Sequence, residues 1–582
     1  MSALDPQTLR EYALLADGER GALIGPRGEL AWMCFPGWAD PAVFAGLLGA
    51  RGRYALCPVG RFVWGGYYEP GTLIWRSRWT TDEDEVVECR EALALPGERD
   101  RAVILRRVLP LKGHPQLEVA LDPRAEFGAK PMRDLRREEN GGWTARVGDM
   151  HLLWLGADDA TTETTDGGTL LRKAFTASEG DQFDFMLVLA RDPARLEPLS
   201  ADRCWSATEE GWRNRVPEHV DAVGARDARQ ACAVLSGMTR DGGGTVGAAT
   251  TSLPERAEAG RNYDYRYVWI RDQCYVGQAA AAAGADDLLQ SAVQFVCARL
   301  LEDGRTLKPV YTTDGGEVPG ESALDLPGYP GGNAIVGNDA RGQFQLDTFG
   351  EALLLFAACG SERLTADDWR AVEEAATAID QRWHEADAGI WELDPDHWTH
   401  SRLICAAGLR AVAAAPEAHR QRARWTTLAD TIIAHTAQHC LHGDGRWQRS
   451  ANDERLDAAL LLPPVRGALS ADDPRTVATL AAVTRELTED GFAYRFRHDE
   501  RPLGHAEGAF LLCGFIVCLA KLQQRDLVGA VQWFERNRTA CGPAGLLSEE
   551  VDVQQRQLRG NLPQAFVHAM LLESASRLAA AL

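Results

Sequence analysis

Ten residues near the middle of the chain, 263–272, combine side chains that seldom occur together. They include four aromatic rings, two arginines and two aspartates. Unpaired charges in a protein interior cost several kcal/mol, so an ordinary core segment explains this composition poorly. Flat rings with ionic hydrogen-bonding groups suit a site that stacks on a sugar and binds its hydroxyls. Trp269, Arg271 and Asp272 are therefore candidates for substrate binding, and a solvated loop with packed aromatic rings is the alternative.

Two glutamates, Glu392 and Glu549, lie in loops that fit acid–base chemistry. Glycoside hydrolysis needs one protonated carboxyl group for the leaving oxygen and one ionised carboxylate that activates water. Glu392 follows Ile390 and Trp391, which predicts an apolar wall and the role of the acid. Glu549 lies in a more polar run and is the candidate base, with the adjacent Glu550 as its rival. Alternatively, each is an ordinary helix N-terminal acid, favoured by the helix dipole.

Similar loops supply further candidates for contact with a substrate, namely Tyr329, Asn338, Trp391, Trp398 and Arg495. Tyr329 and Trp398 are equally compatible with core packing. The 13 cysteines are scattered, without a CxxC pair or a cysteine–histidine cluster at zinc spacing. We therefore expect no metal and no cofactor.

The bulk composition excludes several kinds of partner. The chain has 582 residues, 45% hydrophobic and 25% charged, which indicates a soluble globular protein of more than one domain. Its net charge of -22 argues against nucleic acid, which requires a basic surface. No apolar run is long enough to cross a membrane, and the polar start lacks a signal region. These features predict a cytoplasmic protein with reduced thiols, and they leave a homo-oligomer open.

The elements that must position these residues change character along the chain. From residue 11 to about 217, short β-branched and aromatic runs alternate with turn residues, which predicts an antiparallel β-sandwich. From residue 225 the pattern is helical, with twelve candidate helices, of which the eighth covers 452–461 and the tenth 506–522. Loops rich in glycine, aromatic and charged residues precede the even-numbered helices, which are also the more apolar. We therefore predict a domain over 1–217 and, over 218–582, an (α/α)6 barrel whose inner helices begin on one face.

Several motifs resemble glycoside hydrolase family 15, the glucoamylase and trehalase family. They occur in the family's order over roughly 250–570 and lie at 263–272, 326–329 with 337–347, 389–392 with 400–401, 494–495, 507–510, and 548–550 with 560–566. Segments at 15–18, 28–36 and 123–128 resemble the β-sandwich of the bacterial members. The resemblance thus covers nearly the whole chain.

This resemblance implies a β-sandwich followed by an (α/α)6 barrel, and hydrolysis with inversion at the anomeric carbon. It implies that Glu392 is the general acid and Glu549 the general base. By the same motifs, Arg271 and Asp272 bind the terminal glucose, Trp391 walls that subsite and Arg495 reaches towards the next sugar. Departures from the family pattern around Arg402, Asp339 and Gly331 lie where the leaving sugar would bind, and they leave its identity open.

The expected function is an exo-acting, inverting α-glucoside hydrolase that releases glucose from the non-reducing end of a small α-glucoside or oligosaccharide. A trehalase of the same family is the nearest alternative. A non-catalytic carbohydrate-binding or regulatory protein is an alternative of another class, against which the two glutamates and the Arg271–Asp272 pair argue. A phosphorolytic enzyme fits poorly, because Glu549 and Glu550 would repel phosphate.

Overall fold

A computed structural model describes residues 5–139, 141–165, 167–257 and 260–582. The N-terminal part consists of antiparallel strands. They are β1 (Ala13–Ala16), β2 (Gly21–Ile24), β3 (Leu30–Cys34), β4 (Ala42–Phe44), β5 (Arg53–Pro58), β6 (Phe62–Tyr68), β7 (Trp75–Thr81), β8 (Val86–Leu93), β9 (Arg101–Lys112), β10 (Gln116–Asp122), β11 (Met132–Arg137), β12 (Trp143–Val147), β13 (Met150–Leu155), β14 (Thr161–Thr165), β15 (Gly168–Thr176) and β16 (Phe183–Ala190).

These strands form sandwich-like sheets, as predicted. Within the described residues, the largest sheet has the order β11-β12-β13-β16-β9-β8-β7-β6, and two smaller ones run β14-β15-β10-β5 and β1-β2-β3-β4. The twelve-residue strand β9 is central, pairing Ile104 with Leu187 of β16 and with Leu93 of β8. All three side chains are buried, so this sheet contributes directly to the hydrophobic core.

The expectation of β-structure as far as 217 is wrong at its end, where a helix, α1 (Ala201–Arg215), follows the last strand. Its charged residues obscure the helical period in the sequence. The Ser200 hydroxyl caps the first turn, and Trp205, Thr208 and Trp212 form a buried face at helical spacing. The Thr208 hydroxyl accepts a hydrogen bond from the Leu95 amide at 3.1 Å, so α1 packs on the sheets.

Helices dominate the rest of the chain. They are α2 (Ala225–Met238), α3 (Ile270–Ala283), α4 (Asp286–Asp303), α5 (Asp347–Cys359), α6 (Ala366–Arg382), α7 (Thr399–Ala413), α8 (Arg422–His439), α9 (Leu462–Val465), α10 (Pro474–Glu486), α11 (Leu511–Gln523), α12 (Leu527–Arg538) and α13 (Ala565–Ala579). None of the helices in the described part of the chain combines the length and apolar character needed to cross a membrane.

The predicted barrel is confirmed. Helices α3, α5, α7, α9, α11 and α13 contact one another in turn, and α13 closes the ring against α3. Helices α2, α4, α6, α8, α10 and α12 pack outside them. The inner helices are apolar on most sides, and α11, for example, is buried from Leu511 to Ala520. Their buried faces explain why the even-numbered helices of the sequence pattern lie inside.

Two predicted helix boundaries need correction. The helix expected over 452–461 is a 3-10 turn, Ala458–Leu461, followed by the four-residue α9. The Asp457 carboxylate accepts from the Ala459 amide and starts this turn, so the preceding residues stay outside it. Helix α11, expected from 506, begins at Leu511 because Ala509 and Phe510 pair with a strand instead.

Short strands fix the loops that precede the inner helices. They are β17 (Val268–Trp269), β18 (Val310–Tyr311), β19 (Ser322–Ala323), β20 (Ile335–Val336), β21 (Thr488–Glu489), β22 (Phe492–Ala493), β23 (Ala509–Phe510), β24 (Glu550–Asp552) and β25 (Gln557–Arg559). Strand β17 pairs with β18, and β23-β24-β25 form a small sheet. The loops therefore have defined backbones at the mouth of the barrel.

Candidate active site

The 263–272 segment presents alternate residues to two sides. Asp264 and Arg266 form a buried ion pair, with 2.7 Å between Oδ2 and Nη2, and the Arg266 guanidinium also donates to the Asp40 carbonyl at 3.0 Å. These two residues tie the segment to the β-sandwich. Tyr265 and Trp269 face the barrel, where their rings meet edge to face at 5.5 Å. The alternation follows from the extended backbone, in which successive side chains point in opposite directions.

Arg271 and Asp272 lie in the first turn of α3 and form a rigid, buried pair. The Arg271 Nε donates to Asp272 Oδ1 at 2.9 Å, and Nη1 donates to the Ile390 carbonyl at 2.8 Å. Their exposed fractions are 9% and 3%. A charged pair held in this way offers ionic hydrogen bonds to a ligand without first having to be ordered.

Glu392 occupies a turn in an uncommon backbone conformation. Its φ is 55°, in the left-handed region that costs a non-glycine residue about 1–3 kcal/mol. The Trp269 Nε1 donates to Glu392 Oε1 at 2.6 Å, and Arg271 Nη1 lies 3.8 Å from the same oxygen. The Glu392 side chain is 25% exposed, so part of it faces solvent. Ile390 and Trp391 line the same pocket, as the sequence predicts, but the contacts of the carboxylate itself are with the Trp269 indole and Arg271.

Trp391 and Arg495 form a second wall. The Trp391 Nε1 donates to Asp457 Oδ1 at 2.9 Å, which fixes the plane of the indole. The Arg495 guanidinium lies over the Phe510 ring at 4.1 Å and over the Trp391 ring at 5.3 Å. Cation–π contacts of this kind hold a long side chain in place while leaving its charge near the pocket.

Glu549 lies just before β24 and is buried, with 5% exposed. The Tyr265 hydroxyl lies 3.4 Å from Glu549 Oε1, and Oε2 has no hydrogen-bond partner among the described residues. Burial raises the pKa of this carboxyl well above its usual value, and Glu255 raises it further, whereas Arg495 and Arg261 lower it. The surroundings of Glu549 are thus polar, as the sequence indicates, but these groups come from distant segments of the chain and bury the carboxyl.

The neighbouring Glu550 points elsewhere. Its Oε2 accepts a hydrogen bond from the Gly508 amide at 2.7 Å across the β23–β24 pair. Successive residues of an extended strand face opposite sides, so Glu549 and Glu550 have different hydrogen-bond partners, although Glu255 and Arg495 influence both carboxyls.

One pocket brings seven of the ten candidates together. Its lining in the described residues consists of Tyr265, Trp269, Arg271, Asp272, Ile390, Trp391, Glu392, Arg495, Phe510, Leu512, Glu549, Gln564 and Phe566. Glu392 contacts Trp269, and Glu549 contacts Tyr265, so two aromatic rings connect the two carboxylates across the pocket.

Three candidates lie outside this pocket. The Tyr329 hydroxyl donates to the Gln7 carbonyl at 2.8 Å, so this ring packs on the N-terminal part. The Asn338 side chain donates to the Asp264 carbonyl at 3.2 Å and accepts from the Ala340 amide at 2.9 Å, which gives it a role in the loop.

Trp398 is the third of these and packs behind the Glu392 turn. A Cβ added to Gly389, whose φ is 67°, would lie 2.6 Å from the Trp398 ring, so this turn requires glycine. The Arg449 guanidinium covers the same ring at 5.2 Å. Trp398 therefore supports the loop from behind.

Other residues that line or adjoin the pocket were not among the candidates predicted from the sequence. Tyr265 stands among four similar aromatic residues, and its contact with Glu549 depends on chain folding. Gln564 and Phe566 follow a recognisable motif at the start of α13, which could have suggested them. Glu255, buried beside Tyr265, has no local signal in the sequence. Within the described residues, no group of three or more histidine, cysteine, aspartate or glutamate side chains is arranged to hold a metal ion.

Comparison with known proteins gives the family. The family described as Glycosyl hydrolases family 15 matches residues 230–576, and a domain described as Trehalase-like, N-terminal matches residues 2–151. A trehalase of Mycobacterium tuberculosis is 29% identical over 97% of this chain and 89% of its own length. Trehalase 1 of Sulfolobus acidocaldarius is 27% identical over 97% of this chain and 98% of its own length.

The fold has a solved counterpart in a bacterial glucoamylase complexed with acarbose. That structure superposes with a TM-score of 0.71 over 98% of this chain and 95% of its own length, at 14% sequence identity. Identity at this level supports the same fold, while the family match extends over more than half of the chain. The chain belongs to glycoside hydrolase family 15 and is a glycoside hydrolase.

Proposed function

We propose that this protein hydrolyses trehalose with inversion at one anomeric carbon, and that Glu392 is the general acid and Glu549 the general base. The observation that carries the proposal is that both carboxylates line one small pocket with the Arg271–Asp272 pair. The names of the full-length relatives, which are trehalases, support this choice of α-glucoside.

Glucose binding rests on the buried end of the pocket. Arg271 and Asp272 offer a donor and an acceptor to adjacent hydroxyls of the terminal glucose, while Trp391 and Phe566 provide apolar walls. An exo-acting enzyme needs a site that ends at the first sugar, and these buried residues form such an end. Arg495 lies where it can contact the second glucose.

The acid acts from the Glu392 turn. Since the Trp269 Nε1 donates to Oε1, the transferable proton belongs on Oε2, which gives it to the glycosidic oxygen as the bond breaks. Arg271 lies 3.8 Å from the resulting carboxylate and stabilises its charge.

Glu549, the proposed base, lies beside the Tyr265 ring, whereas Glu392 lies beside the Trp269 ring. The Tyr265 hydroxyl contacts Glu549 Oε1, which leaves Oε2 to accept a proton from water. That water attacks the anomeric carbon on the face opposite the leaving oxygen, so the configuration inverts without a covalent intermediate. Because burial and Glu255 raise the pKa of Glu549, activity should rise with pH as this carboxyl ionises.

The anomeric composition of the first product tests this function. Trehalose has two α-linked anomeric carbons, so inversion at one yields one β-glucose and one α-glucose per turnover. Proton NMR of the purified protein with trehalose, recorded before mutarotation, should show the two anomers in equal amounts. Formation of α-glucose alone would contradict inversion. Glucose release from maltose or isomaltose, with none from trehalose, would overturn the substrate.

A further inference from the structure

A second buried glutamate, Glu255, lies directly behind the proposed base. It is 4% exposed and comes from the segment that precedes the aromatic run. The Tyr265 hydroxyl lies 3.3 Å from Glu255 Oε1 and 3.4 Å from Glu549 Oε1. A phenol has one hydrogen to donate, so Tyr265 cannot donate fully to both carboxylates at once. The two acids therefore compete for one donor in a place with little water.

Glu255 also begins a chain of ion pairs that leads to Arg495. Its Oε2 lies 2.9 Å from Arg261 Nη2, and Arg261 Nη1 donates to Glu507 Oε2 at 3.1 Å. Glu507 in turn accepts from Arg495 Nε at 3.2 Å. A continuous series of polar contacts thus connects Glu549 with Arg495. It runs through Tyr265, Glu255, Arg261 and Glu507.

We propose that Glu255 is a positioning residue that orients Glu549 through Tyr265 and sets the pH at which Glu549 becomes ionised. The inference rests on the proposed function, in which Glu549 must be ionised to accept a proton from water. Glu255 does not line the pocket and is therefore not proposed to touch the sugar.

The charges around Glu549 explain why Glu255 has this effect. The titratable and charged groups that act on Glu549, or that lie next to those groups, come from four segments of the described chain and are Glu255, Arg261, Tyr263, Tyr265, Glu392, Arg495, His498, Glu507 and Glu550. Both arginines nearest to Glu549 already have a partner in Glu255 or Glu507. They therefore neutralise Glu549 incompletely, and a proton is retained among these acids to higher pH than usual.

The decisive experiment compares pH profiles of kcat/KM for trehalose in the wild type, Glu255→Gln and Glu255→Asp. Loss of the negative charge should shift the acidic limb of Glu255→Gln to lower pH by about one unit and lower kcat about tenfold. Glu255→Asp keeps the charge one methylene farther away, so its limb should lie between the other two. A merely structural role would lower activity without moving the limb.

Glu91→Gln provides a matched control. Glu91 is also a fully buried glutamate, paired with Arg106 at 3.5 Å, but it lies in the β-sandwich far from the pocket. Its profile should match that of the wild type. If the acidic limb of the pH profile of Glu255→Gln coincides with that of the wild type, the inference is wrong. If Glu255→Gln does not fold, the same result for Glu255→Asp overturns the inference.

A Glu549→Gln variant separates this inference from the proposed function. If Glu549→Gln remains fully active on trehalose, the assignment of the base is wrong. If Glu549→Gln is inactive while the Glu255 variants keep the wild-type limb, the function stands and the role of Glu255 is wrong.

Discussion

Two buried glutamates, Glu549 and Glu573, differ in how far neighbouring arginines compensate their negative charge. Glu549 precedes α13 at the barrel mouth, and Glu573 lies within α13, deeper in the barrel. The exposed fractions are 5% and 2%. Burial raises the pKa of both carboxyls, yet Glu549 remains well above its usual value while Arg466 and Arg577 bring Glu573 to about 2.

The difference comes from how the neighbouring charges are shared. Glu573 Oε2 accepts from Arg466 Nη2 at 2.8 Å, and Oε1 accepts from Arg577 at 3.0 Å. Glu549 faces arginines that are paired with other acids, and one of its oxygens has no partner in the described part of the protein. A satisfied buried charge supports the fold, whereas an unsatisfied one is available for a ligand or a proton.

Replacing Glu549, the proposed base, should give the largest effect. We expect Glu549→Gln to lower kcat for trehalose about 10²–10⁴-fold, the usual contribution of a general base. Because a raised pKa means that the ionised carboxylate destabilises the folded state above the unfolded pKa, the melting temperature at neutral pH should stay equal or rise. Glucose release and thermal unfolding measure the two parts.

Glu392→Gln is the matched variant for the acid, with a similar loss on trehalose. α-Glucosyl fluoride distinguishes the two, because fluoride leaves without protonation. Glu392→Gln should retain activity on this substrate and Glu549→Gln should not. The reverse pattern would exchange the roles.

Replacing Glu573 should show the opposite behaviour. Glu573→Gln leaves the buried Arg466 charge poorly compensated, so the free energy of unfolding at pH 7 should fall by about 3 kcal/mol. Urea unfolding measures the loss, and kcat of the folded protein should change little. A variant as stable as the wild type would contradict the view that this pair supports the fold.

The pH dependence of stability sharpens the same comparison. The folded pKa of Glu573, about 2, lies below the ordinary value of 4.5. Its contribution is therefore present above about pH 4.5 and is lost as the pH falls towards 2. The stability difference between wild type and Glu573→Gln should shrink over this range, and a constant difference would exclude the ion pair as its cause.

A variant of Asp272 tests whether a buried carboxylate that is already paired with Arg271 also binds the substrate. Asp272→Asn keeps the shape but removes the charge of the acceptor, and should lower kcat/KM for trehalose about 10–100-fold through a loss of about 1.5–3 kcal/mol. Asp286→Asn is the control, since Asp286 occupies the first turn of α4 and pairs with Arg363 at 2.8 Å, far from the pocket. Equal activities of the two variants would contradict glucose binding by Asp272.

Tyr329 should give the smallest effect. Tyr329→Phe removes the hydrogen bond to the Gln7 carbonyl, with a cost of about 1 kcal/mol in the free energy of unfolding and unchanged kcat/KM. Steady-state kinetics and urea unfolding check both parts. A large rise in KM for trehalose would indicate that Tyr329 contacts the substrate after all.

Much of the fold follows from local pattern. The apolar inner helices and the unusual loops before them indicate a barrel with one open face, and the structure has this arrangement. Helix α1 escaped because charged residues interrupt its apolar face. Helix α9 is short because the chain from Asn452 to Asp457 is held by side-chain hydrogen bonds in turns.

The site was less predictable than the fold. Motifs brought Glu392, Glu549 and the Arg271–Asp272 pair together, because each begins an inner helix or the loop before one. Their surroundings depend on residues distant in the chain: Trp269 for Glu392, and Tyr265 with Glu255 for Glu549. Sequence neighbours therefore selected two glutamates that line one pocket but misjudged which of the two is more buried.

The anchoring of Arg266 has a consequence for engineering the protein by domain exchange. Its guanidinium contacts the Cys34 thiol at the end of β3, and the Trp38 and Asp40 carbonyls in the loop that follows. Tyr265, the residue before Arg266, and Trp269, three residues after it, both line the pocket. A chimaera that imports a foreign sandwich must therefore keep residues 34–40, since otherwise the strand bearing the aromatic rings loses its docking partner.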